Sequence, residues 1–424
     1  MSIEVISIII LAGMFTIGTF FSINIGVLGF IASFIIFLFS SDLELTNIYS
    51  SFPAELFILL AGVTYFFAII ESNGTVDLIT RWGLGLLRGK VGLIPWVLFF
   101  IALILTSIGT SVIPVCAVLA PIGLRLAFQY NINPIMMVVV MQSGIVAGSF
   151  SPLNIFGIIV NGSVSAENIA ISPVMLYVAI LLFNAFIALG VYTAFGGIKL
   201  IRNSNSLVMM SEVAVKYDTA ENNGLNWYRG LTLACLVLLV VLVLGFKQNM
   251  GFVALTLGAL LAFGDHKNQS EVLKKMPWST ILLVSGIVTY IGVLSQVGTI
   301  EYVTGLIEKV NNPYITSLVS GYIGAIISAF ASTTGILGVI FPMVVPILTD
   351  PSISTIGVVI MISLSASLVD IAPFTTGGSL YLANVQGVPQ RKFFMQLLAV
   401  GGLFVVLSPI VAWLIFVVLG SLIF

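Results

Sequence analysis

Residues 329–342 read AFASTTGILGVIFP. The flanking stretches, ITSLVSGYIGAIIS at 315–328 and MVVPIL at 343–348, are apolar enough to sit in lipid. Ser332, Thr333, Thr334 and Gly335 therefore interrupt a run that favours burial. Two readings are open. Small and hydroxylated residues pack helix against helix inside membranes. They also suit the tip of a chain that dips into the bilayer and turns back, where hydroxyls satisfy backbone groups that lipid cannot.

Composition decides the solvent. The chain is 59% hydrophobic and 7% charged, with a mean hydropathy of +1.20. A soluble protein carries about 25% charged residues, so this chain belongs in a bilayer. Its two cysteines, Cys116 and Cys235, lie in separate apolar runs, and its single histidine, His266, lies in the polar run GDHKNQSE. Disulfide frameworks, Cys/His metal sites and Ser-His-Asp chemistry are thereby excluded, and an enzyme is not expected. No basic stripe suits nucleic acid. The start, MSIEVISIII, lacks a basic leader region and reads as a retained first span.

About 20 apolar residues cross the hydrocarbon core. On that measure ten spans are expected: 3–21, 24–40, 54–72, 134–160, 172–198, 230–246, 249–264, 278–297, 354–385 and 395–423. Two apolar regions remain, about 93–125 and about 315–349. Each is too long for one span and too short for two. With the N-terminus outside, every Lys and Arg except Lys247 and Lys309 falls inside, a strong positive-inside bias. It holds only if both leftover regions return to the side they came from. Each has a polar centre, TSIGTS (106–111) or STTG (332–335), which leaves arms of about 14 residues, or ~21 Å. Both therefore read as re-entrant hairpins, with Gly109 and Gly335 allowing the tight turns.

The chain also resembles itself. Pro53/Pro277, Gly62/Gly286, Gly74/Gly298, Thr75/Thr299 and Thr80/Thr304 share one offset. Ser107/Ser328, Pro121/Pro342, Pro152/Pro373 and Gly157/Gly378 share a second, three residues shorter. The fold expected is an all-α polytopic membrane protein of two repeats, 1–201 and 230–424, joined by a cytoplasmic linker, 202–229. Each repeat has five transmembrane helices, one re-entrant hairpin, and a discontinuous helix after the hairpin (about 134–160 and 354–385). Five spans are an odd number, so the second repeat is inverted, as in many secondary transporters. GTVDLITRWGLGLL (74–87) and GTIEYVTGLIEKV (298–310) read as interfacial helices or as loops.

Chemistry is expected where the tips and breaks meet. The first break carries Gly148, Ser149, Ser151, Pro152 and Asn154. The second carries Asp370, Pro373, Thr375, Thr376, Gly377 and Gly378. Half-helix N-termini offer free N–H groups and about half a positive charge each, so an anion can bind without Lys or Arg. Candidate substrate contacts are Ser107, Gly109, Thr110 and Ser111 at the first tip, and Ser151, Pro152 and Asn154 at the first break. From the second half they are Ser332, Thr333, Thr334 and Gly335, then Pro373, Thr375, Thr376 and Gly377. Gln142 and Asn154 are neutral groups suited to ligand contact or to helix–helix hydrogen bonding. Asp370 is the one deep carboxylate. It reads as a cation or proton site, or as a cap on the half-helix near Pro373.

GLIPWVLFF (92–100), QSGIVAGSFSPLNIFG (142–157), PWSTILLVSGIVTYIGV (277–293), AIISAFASTTGILGVIFP (325–342), VDIAPFTTGGSLYLAN (369–384) and SPIVAWLIFVV (408–418) resemble MatC-type malonate/dicarboxylate carriers. These belong to the ion transporter superfamily and are similar to the divalent anion:sodium symporters. The resemblance implies two hairpins per protomer, a homodimer, elevator-like motion, and di- or tricarboxylate substrates, often with sodium coupling. It places Ser107, Thr110 and Ser111 opposite Gly148 and Ser149 at one cation-type site, and Ser332, Thr333 and Thr334 opposite Asp370 and Ala372 at another. The related symporters carry Ser-Asn-Thr at each tip. Here the tips read SIGTS and STTG, without Asn.

The function expected is secondary transport of malonate or C4-dicarboxylates by alternating access. The setting is a prokaryotic inner membrane, multi-pass, with both termini outside. Na+ or H+ is the coupling ion, with no other cofactor. The rivals are a membrane subunit of a binding-protein-dependent carrier, and a cation/proton antiporter.

Overall fold

A computed structural model of the chain describes residues 2–21, 23–40, 43–85, 91–202, 225–265, 268–299, 302, 312–330 and 333–420. Ser332, His266, residues 203–224 of the linker, residues 86–87 of the first interfacial segment and residues 300, 301 and 303–310 of the second lie outside the described residues. Helices account for all the regular structure among the described residues, with no strand.

The first half runs α1 (Ile3–Phe21), α2 (Ile25–Phe39), α3 (Leu45–Ser50), α4 (Ala54–Ser72), α5 (Thr75–Gly85), α6 (Ile94–Ser107), α7 (Val112–Gln129), α8 (Pro134–Ser149), α9 (Ile155–Ala166), α10 (Pro173–Ala194) and α11 (Gly197–Arg202). Next come α12 (Trp227–Val240), α13 (Met250–Gly264), α14 (Gln269–Lys275) and α15 (Trp278–Gln296). The chain closes with α16 (Pro313–Phe330), α17 (Thr333–Met343), α18 (Val345–Leu348), α19 (Thr355–Ser367), α20 (Thr376–Asn384) and α21 (Gln390–Ala412). Their starts are written locally. Asn133 accepts from the N–H groups of Ile135 and Met136 ahead of Pro134, and Ser354 accepts from Gly357 N–H. Both are N-cap bonds that satisfy otherwise orphaned donors.

Among the described residues six helices are long and apolar enough to cross a membrane: Ala54–Ser72, Val112–Gln129, Pro173–Ala194, Trp278–Gln296, Thr355–Asn384 and Gln390–Val418. Five coincide with expected spans. The sixth, α7, was expected as a hairpin arm of ~21 Å; its 18 residues measure about 27 Å. Other boundaries also differ. A short helix, α3, lies between the second and third expected spans. The span expected over 172–198 ends at Ala194, because Gly196 turns the chain at φ 81° in the left-handed position that closes many helices. The linker expected to run to 229 ends earlier, because Asn226 caps α12 by accepting from Arg229 N–H.

Two buried helices form the centre. From Ile135 to Ser149 every residue of α8 is buried, and so is every residue of α19 from Gly357 to Ser367. A helix apolar on all sides belongs inside. Helix α8 packs against α6, α7 and α10, while α19 packs against α16 and α21. The halves interlock as well, since α17 packs on α9 and α20 packs on α7. On the flank, α2 meets α15 and α4 meets α13 at glycines. A side chain on Gly286 would strike the Gly26 carbonyl, and one on Gly62 would strike the Gly251 carbonyl. Such backbone approach is how small residues hold membrane helices together.

Candidate functional site

The first tip is a four-residue turn between α6 and α7. Gly109 stands at φ 109°, and a Cβ there would strike the Phe67 ring, so glycine is required twice over. The break between α8 and α9 supplies the side chains that hold this turn. Asn154 Nδ2 donates to the carbonyls of Thr106 (2.6 Å) and Thr110 (2.9 Å). Ser151 Oγ donates to the Ser107 carbonyl at 2.7 Å. Carbonyls freed by the end of α6 are thus satisfied inside the protein, as an apolar surround demands. Gly148 lies against the same turn, where an added Cβ would strike Thr106 Oγ1.

The second break is built from its own residues. Helix α19 ends at Ser367 and a 3-10 turn, Leu368–Ile371, carries Asp370. Thr375 then caps α20, accepting from Gly378 N–H at 3.1 Å. Its hydroxyl lies 2.7 Å from the Asp370 carbonyl and 2.8 Å from the Ala372 carbonyl. Asp370 is therefore not the cap of this half-helix. A Cβ on Gly378 would strike the Ala372 carbonyl, which explains a glycine at the first turn of α20. At the second tip Thr333 Oγ1 lies 2.9 Å from Ser328 Oγ.

Gly335 was expected to form that turn. It is instead a buried residue inside α17, because the helix resumes at Thr333.

These parts enclose a cavity of about 110 Å³ lined by Ser111, Val112, Ile113, Asn154, Ile155, Phe156, Pro277, Thr280, Thr333, Thr334, Asp370, Thr375 and Thr376. Apart from Asp370, on the 3-10 turn before α20, the lining residues belong to the opening turns of α7, α9, α17 and α20, joined by the opening turn of α15. Five helix N-termini thus converge on one space. Neither Ser111 nor Asn154 caps its helix through its side chain, so the first N–H groups of α7 and α9 stay unclaimed by caps. The described lining contains no Lys or Arg and one carboxylate, Asp370, which is half-buried. At ~30 Å³ per water in the liquid the cavity corresponds to on the order of four waters, the scale of a small organic acid.

Of the residues expected to bind substrate, the cavity brings together Ser111, Asn154, Thr333, Thr334, Thr375 and Thr376, with Asp370 beside them. Ser107 instead pairs its hydroxyl with Tyr177 at 2.9 Å. Gly109 makes the turn, and Ser151 braces it. Thr110 is buried, and its hydroxyl has no partner among the described residues. Ser149 turns its hydroxyl back to the Ile145 carbonyl at 2.6 Å. Ala372 packs against Gly401 of α21. Pro373 and Gly377 lie in and just after the second break, and Gly335 lies deeper in α17. None of these lines the cavity. Pro152 borders a second, larger cavity of about 470 Å³ on the other side of the first break, with Pro53, Glu55, Asn161 and Pro173.

Sequence reasoning missed Val112, Ile113, Ile155, Phe156 and Thr280 as lining residues. Pro277, noted for its repeat partner Pro53, was the available signal for the α15 end.

Apolar helices packed around a cavity at two broken helices mark a multi-pass membrane protein. The first third of the chain narrows that class: residues 1–149 match the family model described as dicarboxylate carrier protein MatC N-terminus. Over that third the chain is similar to dicarboxylate carriers of the MatC type. No curated protein matches the chain.

Proposed function

We propose that the chain is a secondary active transporter of small dicarboxylates, malonate or C4 acids, coupled to a cation and working by alternating access around this cavity. The observation that carries the reading is the convergence of five helix N-termini on a space with no basic side chain in its described lining. Each terminus contributes about +0.5, together no more than about +2.5. Asp370 removes one of these charges. A bound dianion then leaves the site net negative, and a proton on Asp370 or a co-bound Na+ restores the balance. An anion held by dipoles and hydroxyls rather than by Arg is also readily released, as a carrier requires.

On this reading TSIGTS (106–111) and STTG (332–335) lie at the tips of re-entrant hairpins, and the two halves form an inverted repeat. The transport unit moves elevator-fashion in a homodimer, with both termini outside a prokaryotic inner membrane. Lipid and substrate are its partners.

The test is counterflow of labelled malonate, succinate and citrate by purified protein in proteoliposomes, with and without sodium and a pH gradient. Exchange of a dicarboxylate without an added binding protein supports the reading and removes the binding-protein-dependent alternative. Cation flux without any carboxylate dependence would replace it with an antiporter.

A further inference from the structure

The cavity has two unlike walls, and the difference follows the chain's internal pairing. The offset that relates Pro152 to Pro373 and Gly157 to Gly378 also relates Val112 to Thr333, Ile113 to Thr334 and Ile155 to Thr376. All six of these last residues line the cavity. They occupy matching places, the opening turns of α7 and α17 and of α9 and α20. Where the second half presents three threonines, the first half presents three aliphatic side chains.

Phe156 extends the aliphatic wall. Val112, Ile155 and Phe156 are buried, whereas Ile113, at the edge of the wall, is 53% exposed. The polar side-chain groups on that side are few: the Ser111 hydroxyl and Asn154 Oδ1, which is buried and has no partner among the described residues. Both N–H bonds of Asn154 are spent on the Thr106 and Thr110 carbonyls. That leaves Ser111 as the one hydroxyl the first half contributes to the described lining.

We infer that this wall, Val112, Ile113, Ile155 and Phe156, selects diacids whose carbon skeleton bears no hydroxyl. The inference rests on the dicarboxylate reading above and adds a specificity to it. A carboxylate takes its hydrogen bonds from helix N–H groups and from the threonine wall. The carbons between the carboxylates then lie against the aliphatic wall. A methyl or methylene is at home there. A hydroxyl loses its water and finds carbon instead, and an apolar pocket discriminates against an added hydroxyl by up to about a hundredfold.

Competition for labelled-acid uptake in proteoliposomes tests this on the wild-type protein. Succinate is compared with 2-hydroxysuccinate and methylsuccinate, and malonate with 2-hydroxymalonate and methylmalonate. The hydroxy acids are expected to compete at least about ten-fold less well than their parents, with the methyl acids close to the parents. Val112→Thr and Ile113→Thr write the second half's residue into the first, at nearly unchanged volume for valine. Each is expected to close much of the gap by improving the hydroxy acids. Equal competition by parent and hydroxy acids in the wild-type protein overturns the inference and leaves dicarboxylate transport standing. So does an unchanged ratio in both variants while parent uptake persists. Failure of both parents to exchange overturns the transport reading, and this inference with it.

Discussion

Tyr381 donates its phenolic proton to the carboxamide oxygen of Gln142 over 2.6 Å, with both side chains buried. The bond ties α20, the half-helix after the second break, to α8, the helix before the first. The Cys116 thiol on α7 approaches the Gly377 carbonyl of α20 at 3.8 Å. Two helices that line the cavity, α7 and α20, thus approach each other beside it, and α20 is tied in turn to the buried helix α8. The Tyr381–Gln142 bond is a direct polar link between the helix before the first break and the half-helix after the second.

Tyr381→Phe should therefore destabilise the protein by about 1–3 kcal/mol, because it strands a buried amide oxygen. The amide nitrogen of Gln142 already has no partner among the described residues. Adding Gln142→Leu should recover part of the loss, since removing both polar partners costs less than removing one. Thermal unfolding of the purified single and double variants measures this. Additive losses would show that the two side chains do not act as a pair.

Asn154 is a clasp on the first tip. Asn154→Ala frees two carbonyls in an apolar surround and should cost about 1–3 kcal/mol. Asn154→Asp should be worse than Ala, since an ionised carboxylate cannot donate and would face two carbonyl oxygens. The yield of folded protein and its melting temperature should rank wild type, Ala, Asp. If Asp folds better than Ala, the donor role of the amide is wrong.

How far this site was legible in the sequence differs by residue. The turn between α6 and α7 and the two helix breaks were visible because TSIGTS and the Pro/Gly clusters interrupt runs that are otherwise apolar. Gly109 was read correctly, since a glycine in a short polar gap is a turn. Gly335 was not, because a glycine one turn into a helix looks the same in sequence as one that makes a turn. Asn154 stood out as polar, but which of its atoms would be used depended on Thr106 and Thr110, which are distant in the chain. The Gln142–Tyr381 bond joins residues far apart and leaves no local pattern. Val112, Ile113, Ile155 and Phe156 were invisible for a simpler reason. In a chain that is 59% hydrophobic, an apolar residue that lines a cavity cannot be told from one that faces lipid.

Asp370 is the carboxylate on the cavity wall, and in the second offset its counterpart in the first half is the neutral Ser149. Charge coupling should therefore reside in the second half. Asp370→Asn keeps the shape and removes the charge. It should abolish the stimulation of net uptake by the coupling cation or pH gradient while counterflow exchange of the dicarboxylate continues. The measurement is the ratio of gradient-driven uptake to exchange in the same proteoliposomes. A ratio unchanged from wild type would remove Asp370 from coupling.

The glycine contact between α2 and α15 gives the sharpest test of the packing. A Cβ on Gly286 would overlap the Gly26 carbonyl, a backbone atom that cannot rotate away. Gly286→Ala must push α2 and α15 apart, and overpacking of this kind costs about 1–3 kcal/mol or more. Gly402 is the control. It lies within α21, and a Cβ there would meet nothing within 4 Å. Gly402→Ala should be neutral or stabilising, by up to about 1 kcal/mol, because alanine is the better helix former. Thermal unfolding of the two variants should move in opposite directions or leave Gly402→Ala unmoved. Equal destabilisation would show that helix propensity, rather than backbone approach at Gly26, governs both positions.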